Sequence, residues 1–449
     1  MGTTSELASL AAVVILVAIP SPLRGQADYT NLGDRNASAH PGSQGEVSIA
    51  VDRMDPRRLA AAAMNVEAGP LLTMASEDGG DTWRRALLPM APGATLHADP
   101  MVAFDSRGVA FLANIPVGPA NTPLGIEVAR SADGGFTWEP ALRISKATDR
   151  DDKVALAVDD EPASAFRDRV YVAWKWPGGG SFLSYSPDGG RSFTRPRLAD
   201  VATVSGLDLA VSADGTLYLA ANDGPGHALK VLRSTDGGAS FAPPVAVARV
   251  RAQWYTSQPS HCRRTSLVHA SIAVDRSPGP ARGAVFVTWA DYDEGSDIGR
   301  CGNGCDPQAP CHTDVFFSRS VDGGRTWSAP EALPDRHPGS DRYFQWARVD
   351  PSDGVLYIAY KDTRLDPSRA TTEVFVSRSA DGGLAWDAPI RASSAPSDAR
   401  SSTFQFGDYQ GLAVASGWVY PAWSDHRLPG DPEIYVGRLR FDESAAPPR

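Results

Sequence analysis

Short runs in which apolar and small or polar residues alternate recur along the chain at a period of two. Seven open in a similar way: Val47–Asp52, Met101–Asp105, Val154–Asp159, Leu207–Ser212, Ala270–Asp275, Trp346–Asp350 and Gly411–Ala415. A second run follows each after a polar turn, as in Val170–Lys175, Leu356–Lys361 and Val419–Ser424. A third, such as Val315–Ser320 or Val374–Ser379, runs into a Gly-Gly turn, whereas Ile434–Leu439 has no such turn after it. A period of two places alternate side chains on opposite faces of a strand. No long stretch carries the 3.6-residue period of a helix, so the pattern predicts an all-β chain built from repeats.

The turn after the third run is itself a motif. It starts at Ser76 (SEDGGDTW), Ser131 (SADGGFTW), Ser186 (SPDGGRSF), Ser234 (STDGGASF), Ser320 (SVDGGRTW) and Ser379 (SADGGLAW). Gly-Gly supplies the positive φ of a tight hairpin turn. Short Ser and Asp side chains can hold turn N–H groups. The closing Trp or Phe can wedge between neighbouring sheets. Asp78, Asp133, Asp188, Asp236, Asp322 and Asp381 therefore read as turn braces rather than as six catalytic carboxylates.

The motif resembles the Asp-box, or BNR repeat, of the sialidase-like superfamily. That resemblance implies a β-propeller with the boxes on the face away from the active site. Seven sets of runs predict seven four-stranded blades, six with boxes, against the six blades of sialidases; six is the alternative count. The last set supplies three strands, and a fourth is expected from the N-terminal stretch 28–47, which would close the ring and remove its free edges.

The chain has 449 residues, is 42% hydrophobic and carries a net charge of −10 with no long basic run. These values suit a large core and argue against nucleic acid as a partner. Leu7–Ile19 is nearly all apolar and too short to span a bilayer. With Gly25-Gln26-Ala27 it resembles a secretory signal, which predicts a signal peptide over 1–27, a single propeller domain over 28–449 with no integral membrane segment, and a secreted or periplasmic monomer.

Chemistry is expected on the face opposite the boxes, where the loops of the last three repeats are long. Asp291, Asp362 and Asp425 end second strands, and Arg364 and Arg427 follow two of them. Arg presents a fork that matches a carboxylate. Tyr409 beside Asp408 lies where the seventh first strand enters the channel, with His97 and Asp99, and Asp152 and Lys153, at matching places. The resemblance to sialidases implies an exo-glycosidase acting on a terminal, acidic sugar of a glycan, with Tyr409 as nucleophile assisted by Asp408 and with Asp362 or Asp425 as acid/base. Arg364, Arg427, Asp291 and Asp99 would bind substrate, with Arg263, Arg264 or Arg342 as a third clamp. The Arg-Ile-Pro motif of sialidases has no counterpart, since Asn114 precedes Ile115-Pro116, and this keeps a non-catalytic glycan- or protein-binding propeller as the alternative.

Cys262, Cys301, Cys305 and Cys311 are an even set, expected to form two disulfides in an exported chain, with a link between Cys262 and the long loop of the fifth repeat geometrically sensible. Zinc with His261 or His312 lacks the paired cysteine spacing. Asp291, Asp293 and Asp297 form an oxygen-rich run, so calcium is a candidate ligand although no cofactor is required.

Overall fold

The computed structural model describes residues 21–146, 151–176, 180–199, 205–224, 226–252, 254–301, 306–402 and 404–441. The apolar run 7–19 and Cys305 lie outside the described residues. Strands dominate, with two short 3₁₀ turns, and among the described residues no helix is long and apolar enough to cross a membrane.

Seven antiparallel sheets of four or more strands follow one another, with one further two-stranded hairpin. Their first strands are Gln44–Asp52, Leu96–Phe104, Asp152–Val158, Ser205–Val211, Ser271–Val274, Arg342–Val349 and Gly411–Ala415, which we number sheets 1 to 7. Each first strand lies beside the next, and that of sheet 7 lies beside that of sheet 1. All seven line one cavity through small and branched residues such as Ile49, Val102, Leu156, Leu209, Ile272, Val349 and Leu412. Sheet 7 is completed by Tyr29–Asn36, which pairs antiparallel with Glu433–Phe441. The N-terminal stretch thus supplies the fourth strand that the last repeat lacks. Residues just before the expected cleavage point are also placed: Trp386 N–H donates to the Pro22 carbonyl and Arg24 N–H to that of Trp386.

The six boxes sit between third and fourth strands. In the first, Gly80 N–H donates to Ser76 Oγ at 2.9 Å, while Thr82 donates to Asp78 through its N–H and, at 2.6 Å, its hydroxyl. Gly79 and Gly80 take φ of 77° and 78°, the left-handed region a side chain would resist. Burial pushes the Asp188 carboxyl up, but hydrogen bonds from Ser192 and Ser186 outweigh it and bring it to about 2. The sixth box has Ala385 in place of the hydroxyl residue and keeps only its N–H bond to Asp381 at 2.9 Å. Its Trp386 is fully buried, with its ring 5.1 Å from that of Phe317 in the core between sheets 5 and 6. Burying one such ring contributes about 4–6 kcal/mol of gross transfer free energy.

Candidate functional site

Every first strand runs from the face opposite the boxes down toward them, and five carry a register break near their start: at Gly45/Ser48, Ala98/Met101, Asp152/Val154, Ser205/Leu207 and Tyr343/Trp346. A β-bulge re-aims the side chain of the extra residue. Counting five residues back from Val51, Phe104, Val158, Val211, Val274, Val349 and Val414 gives one equivalent position in each sheet: Glu46, Asp99, Lys153, Gly206, His269, Phe344 and Tyr409. Glu46, Asp99, Lys153 and Phe344 adopt positive φ of 54°, 50°, 42° and 54°. Non-glycine residues in that region cost about 1–3 kcal/mol each and cluster at functional sites.

These side chains meet. The Lys153 ammonium lies 3.3 Å from the centroid of the Tyr409 ring. The Tyr409 hydroxyl donates to the Pro100 carbonyl at 3.2 Å, and the His269 ring is 6.0 Å away. His269 occupies the space that Gly206 leaves open: a methyl there would be 1.5 Å from its Nδ1. Neither His269 ring nitrogen has a partner among the described residues.

Arg264 closes the cluster from outside the ring of strands. It belongs to the hairpin of Tyr255–Gln258 and His261–Leu267, which lies between sheets 4 and 5. Gln405 Oε1 accepts the backbone N–H groups of Arg263 and Arg264 and so fixes the hairpin's height. Arg264 Nη2 is 2.7 Å from Asp408 Oδ1 and 3.4 Å from Glu46 Oε1, so those carboxylate oxygens are at most about 6 Å apart. The Asp408 and Arg264 side chains remain 26% and 30% exposed, whereas Glu46 is 5% exposed. The cluster therefore opens to solvent at Asp408 and Arg264 and buries Glu46 behind them.

Electrostatics separates the carboxyls. Burial, with the charges of Asp408 and Asp99 beside it, pushes Glu46 well above the usual range, and Arg264 and Lys153 offset this only in part. Burial raises Asp99 to about 6 against the pull of Lys153. Burial, with Asp99 and Glu46 nearby, raises the Tyr409 phenol well above 10. Strongly perturbed groups gathered at an opening are the physical mark of a functional site.

The structure brings together Asp99, Asp408 and Tyr409, and corrects several of the other expectations. Tyr409 is buried, protonated and committed to Pro100, so its oxygen is not free to attack a substrate. Asp362 and Asp425 have fully buried carboxylates. Asp362 accepts from Arg364 N–H and Nε, and Asp425 from Trp423 Nε1, Arg427 N–H and Arg427 Nη2. Arg364 also holds Asp335, and Arg427 also holds Asp34. These two Asp–Arg pairs tie loops down and leave no open acid/base or substrate clamp. Arg342 is buried against Asp314 and the carbonyls of Leu333 and Pro334. His97 is buried with Nε2 accepting the Ala91 N–H, and Asp152 pairs with Lys175.

The acidic run does not converge. Asp291 accepts N–H groups of Arg251, Ala252 and Tyr292, Asp293 pairs with Arg336, and Asp297 points to solvent. Among the described residues no group of three or more His, Cys, Asp or Glu is placed to hold a metal ion. Cys301 bonds Cys311 within the long loop, and Cys262 is also disulfide-bonded, which removes the thiolates a zinc site would need.

No protein family and no curated protein matches the sequence. Among solved structures, a protein of unknown function from Dyadobacter fermentans superposes with a TM-score of 0.51 at 15% identity, over 92% of this chain and 99% of that one. An α-L-arabinanase of Penicillium chrysogenum, solved with arabinobiose, gives 0.49 at 13% identity over 92% and 99%. An α-L-arabinofuranosidase of Fusarium graminearum, also with arabinobiose, gives 0.48 at 12% identity over 94% and 98%. What the Dyadobacter protein shares with this chain is a backbone fold.

Proposed function

We propose that the seven sheets are the blades of a closed propeller and that the mouth of its channel hydrolyses a glycosidic bond with Glu46 and Asp408. The observation that carries this reading is the single guanidinium of Arg264 touching both carboxylates, one buried with its pKa pushed up, the other open to solvent. Two carboxyl groups no more than about 6 Å apart suit the retaining mechanism better than the wider spacing of inverting enzymes.

In that mechanism Asp408 attacks the anomeric carbon as Glu46 gives its proton to the departing glycosidic oxygen, so a covalent glycosyl ester forms as the C–O bond breaks. Glu46, now ionised, takes a proton from water, and the resulting hydroxyl displaces Asp408 with the sugar's original configuration restored. Arg264 steadies the charge that moves between the two carboxylates, and Lys153 and Asp99 hold the field behind them. Tyr409 serves as the floor on which Lys153 rests. Export belongs to the same proposal and is supported by the bonded cysteines.

The test is release of sugar from a broad glycan mixture, read by mass spectrometry, with Glu46→Gln and Asp408→Asn alongside. Loss of release in both, with retained anomeric configuration by NMR, is the expected result. Release that survives both substitutions overturns the assignment. Glycans held by the protein without release would make this a binding propeller.

A further inference from the structure

A second opening lies on sheet 3, radially outward from the channel mouth. It is a cleft of 510 Å³ between the end of sheet 2 and the outer half of sheet 3, lined by Lys146, Trp174, Phe182 and Arg195 among others. The size suits one or two sugar residues. Its floor is aromatic: the Trp174 and Phe182 ring centroids are 5.8 Å apart. Phe182 is only half-buried, so its face is not fully covered by the fold. Such faces carry a negative quadrupole and accept the polarised C–H face of a pyranose.

The rim is cationic. Lys146 and Arg195 are both exposed, and neither makes an ion pair among the described residues. Asp151 lies buried in the wall, so that among the described residues the lining sets one carboxylate against two cations.

We propose that this cleft is a binding subsite for a negatively charged sugar, a uronate or a sulfate ester, at a distance from the reacting bond. The inference rests on the glycosidase reading and adds the substrate class: an acidic oligosaccharide rather than a single terminal sugar. Arg195 would take the anionic group in its fork while the ring of the sugar lies on Phe182.

The test uses the full mature chain on a printed array of uronate-bearing, sulfated and neutral oligosaccharides, followed by calorimetry with the best-retained glycan. The two anionic arms distinguish carboxylate from sulfate. The expected result is retention of anionic glycans over neutral ones, weakened about tenfold or more by the exposed double reversal K146E/R195E and weakened by added salt. Phe182→Leu should weaken anionic and neutral glycans alike. Equal retention of neutral glycans, retention of none, or anionic retention indifferent to K146E/R195E overturns the proposal. Binding that persists while hydrolysis is never detected removes the glycosidase reading and leaves the subsite. Hydrolysis without an anionic preference does the reverse.

Discussion

Gly206 and His269 should behave as one residue shared between two sheets. Gly206 occupies the ring position of sheet 4, and a methyl added there would sit 1.5 Å from His269 Nδ1 and 1.8 Å from Cε1. Its φ is outside the left-handed region, so the backbone itself tolerates alanine. The whole cost of Gly206→Ala is then overpacking against a ring with no room to retreat, about 1–3 kcal/mol. His269→Ala removes a buried ring, which costs about 2–5 kcal/mol as a large-to-small change, less about 1–3 kcal/mol because two unpartnered nitrogens leave the interior with it. In the double variant the new methyl enters the space the ring vacated. The two changes should therefore couple favourably by about 1–3 kcal/mol, with the double variant no less stable than His269→Ala alone. Urea unfolding of the four proteins at one pH gives the cycle from the midpoints, provided the slopes agree. Additivity within about 0.5 kcal/mol would refute the shared-space argument, because contacts that do not exist cannot couple.

Other outcomes follow from buried charge. Asp99 is raised by burial to about 6, so the folded state holds its proton more tightly than the unfolded chain; its contribution is present below about pH 4 and lost as pH rises through 6. Asp99→Asn should flatten the fall in urea midpoint between pH 4 and 7, by at most about 3 kcal/mol, and an unchanged pH profile counts against the burial argument. Lys361 lies 3.9 Å over the Phe406 ring, donates to the Ser424 carbonyl and is depressed by burial to about 7. Its contribution is present above pH 10.5 and lost as pH falls through 7, so Lys361→Met should remove a rise in stability between pH 7 and 10. Asp188→Ala should cost about 1–2 kcal/mol by freeing the turn N–H groups of Arg191 and Ser192, with no change in any glycan binding. A loss of binding there would mean that the box face takes part in recognition.

The scaffold was legible because it repeats. A Gly-Gly turn with a Ser–Asp brace can form only where a hairpin is wanted, and six copies set the phase of the strands between them. The missing fourth strand of sheet 7 followed from counting. The site was legible only in part. Tyr409, Asp408, Asp99 and Lys153 stood out as polar residues entering first strands, but Glu46, just before the run Val47–Asp52, did not. Its equal offset from Val51 was the available signal. Arg264 was one of three candidates for a third clamp, and the sequence did not single it out because its position depends on the hairpin that Tyr255–Gln258 and His261–Leu267 form around Pro259-Ser260. Asp362 and Asp425 misled for a physical reason. An Asp-x-Arg step at a strand end suits a substrate clamp, yet it suits self-pairing equally, and burial of the carboxylate selects the second.

The contrast between the two ends of the strands bears on where chemistry lies. At the box end the same aspartate does the same thing six times, each bound by its own turn, and identity of that kind is what a scaffold needs. At the other end the seven equivalent positions hold seven different residues: two acids, a lysine, a histidine, a tyrosine, a phenylalanine and a glycine. A role confined to closing the channel would be met by one apolar residue used seven times, as the branched side chains lower in the channel do. Placing opposed charges there in strained backbone costs stability at several positions at once. That expense fits a task that treats the seven sheets unequally, and the proposed binding of one asymmetric ligand across the mouth is such a task.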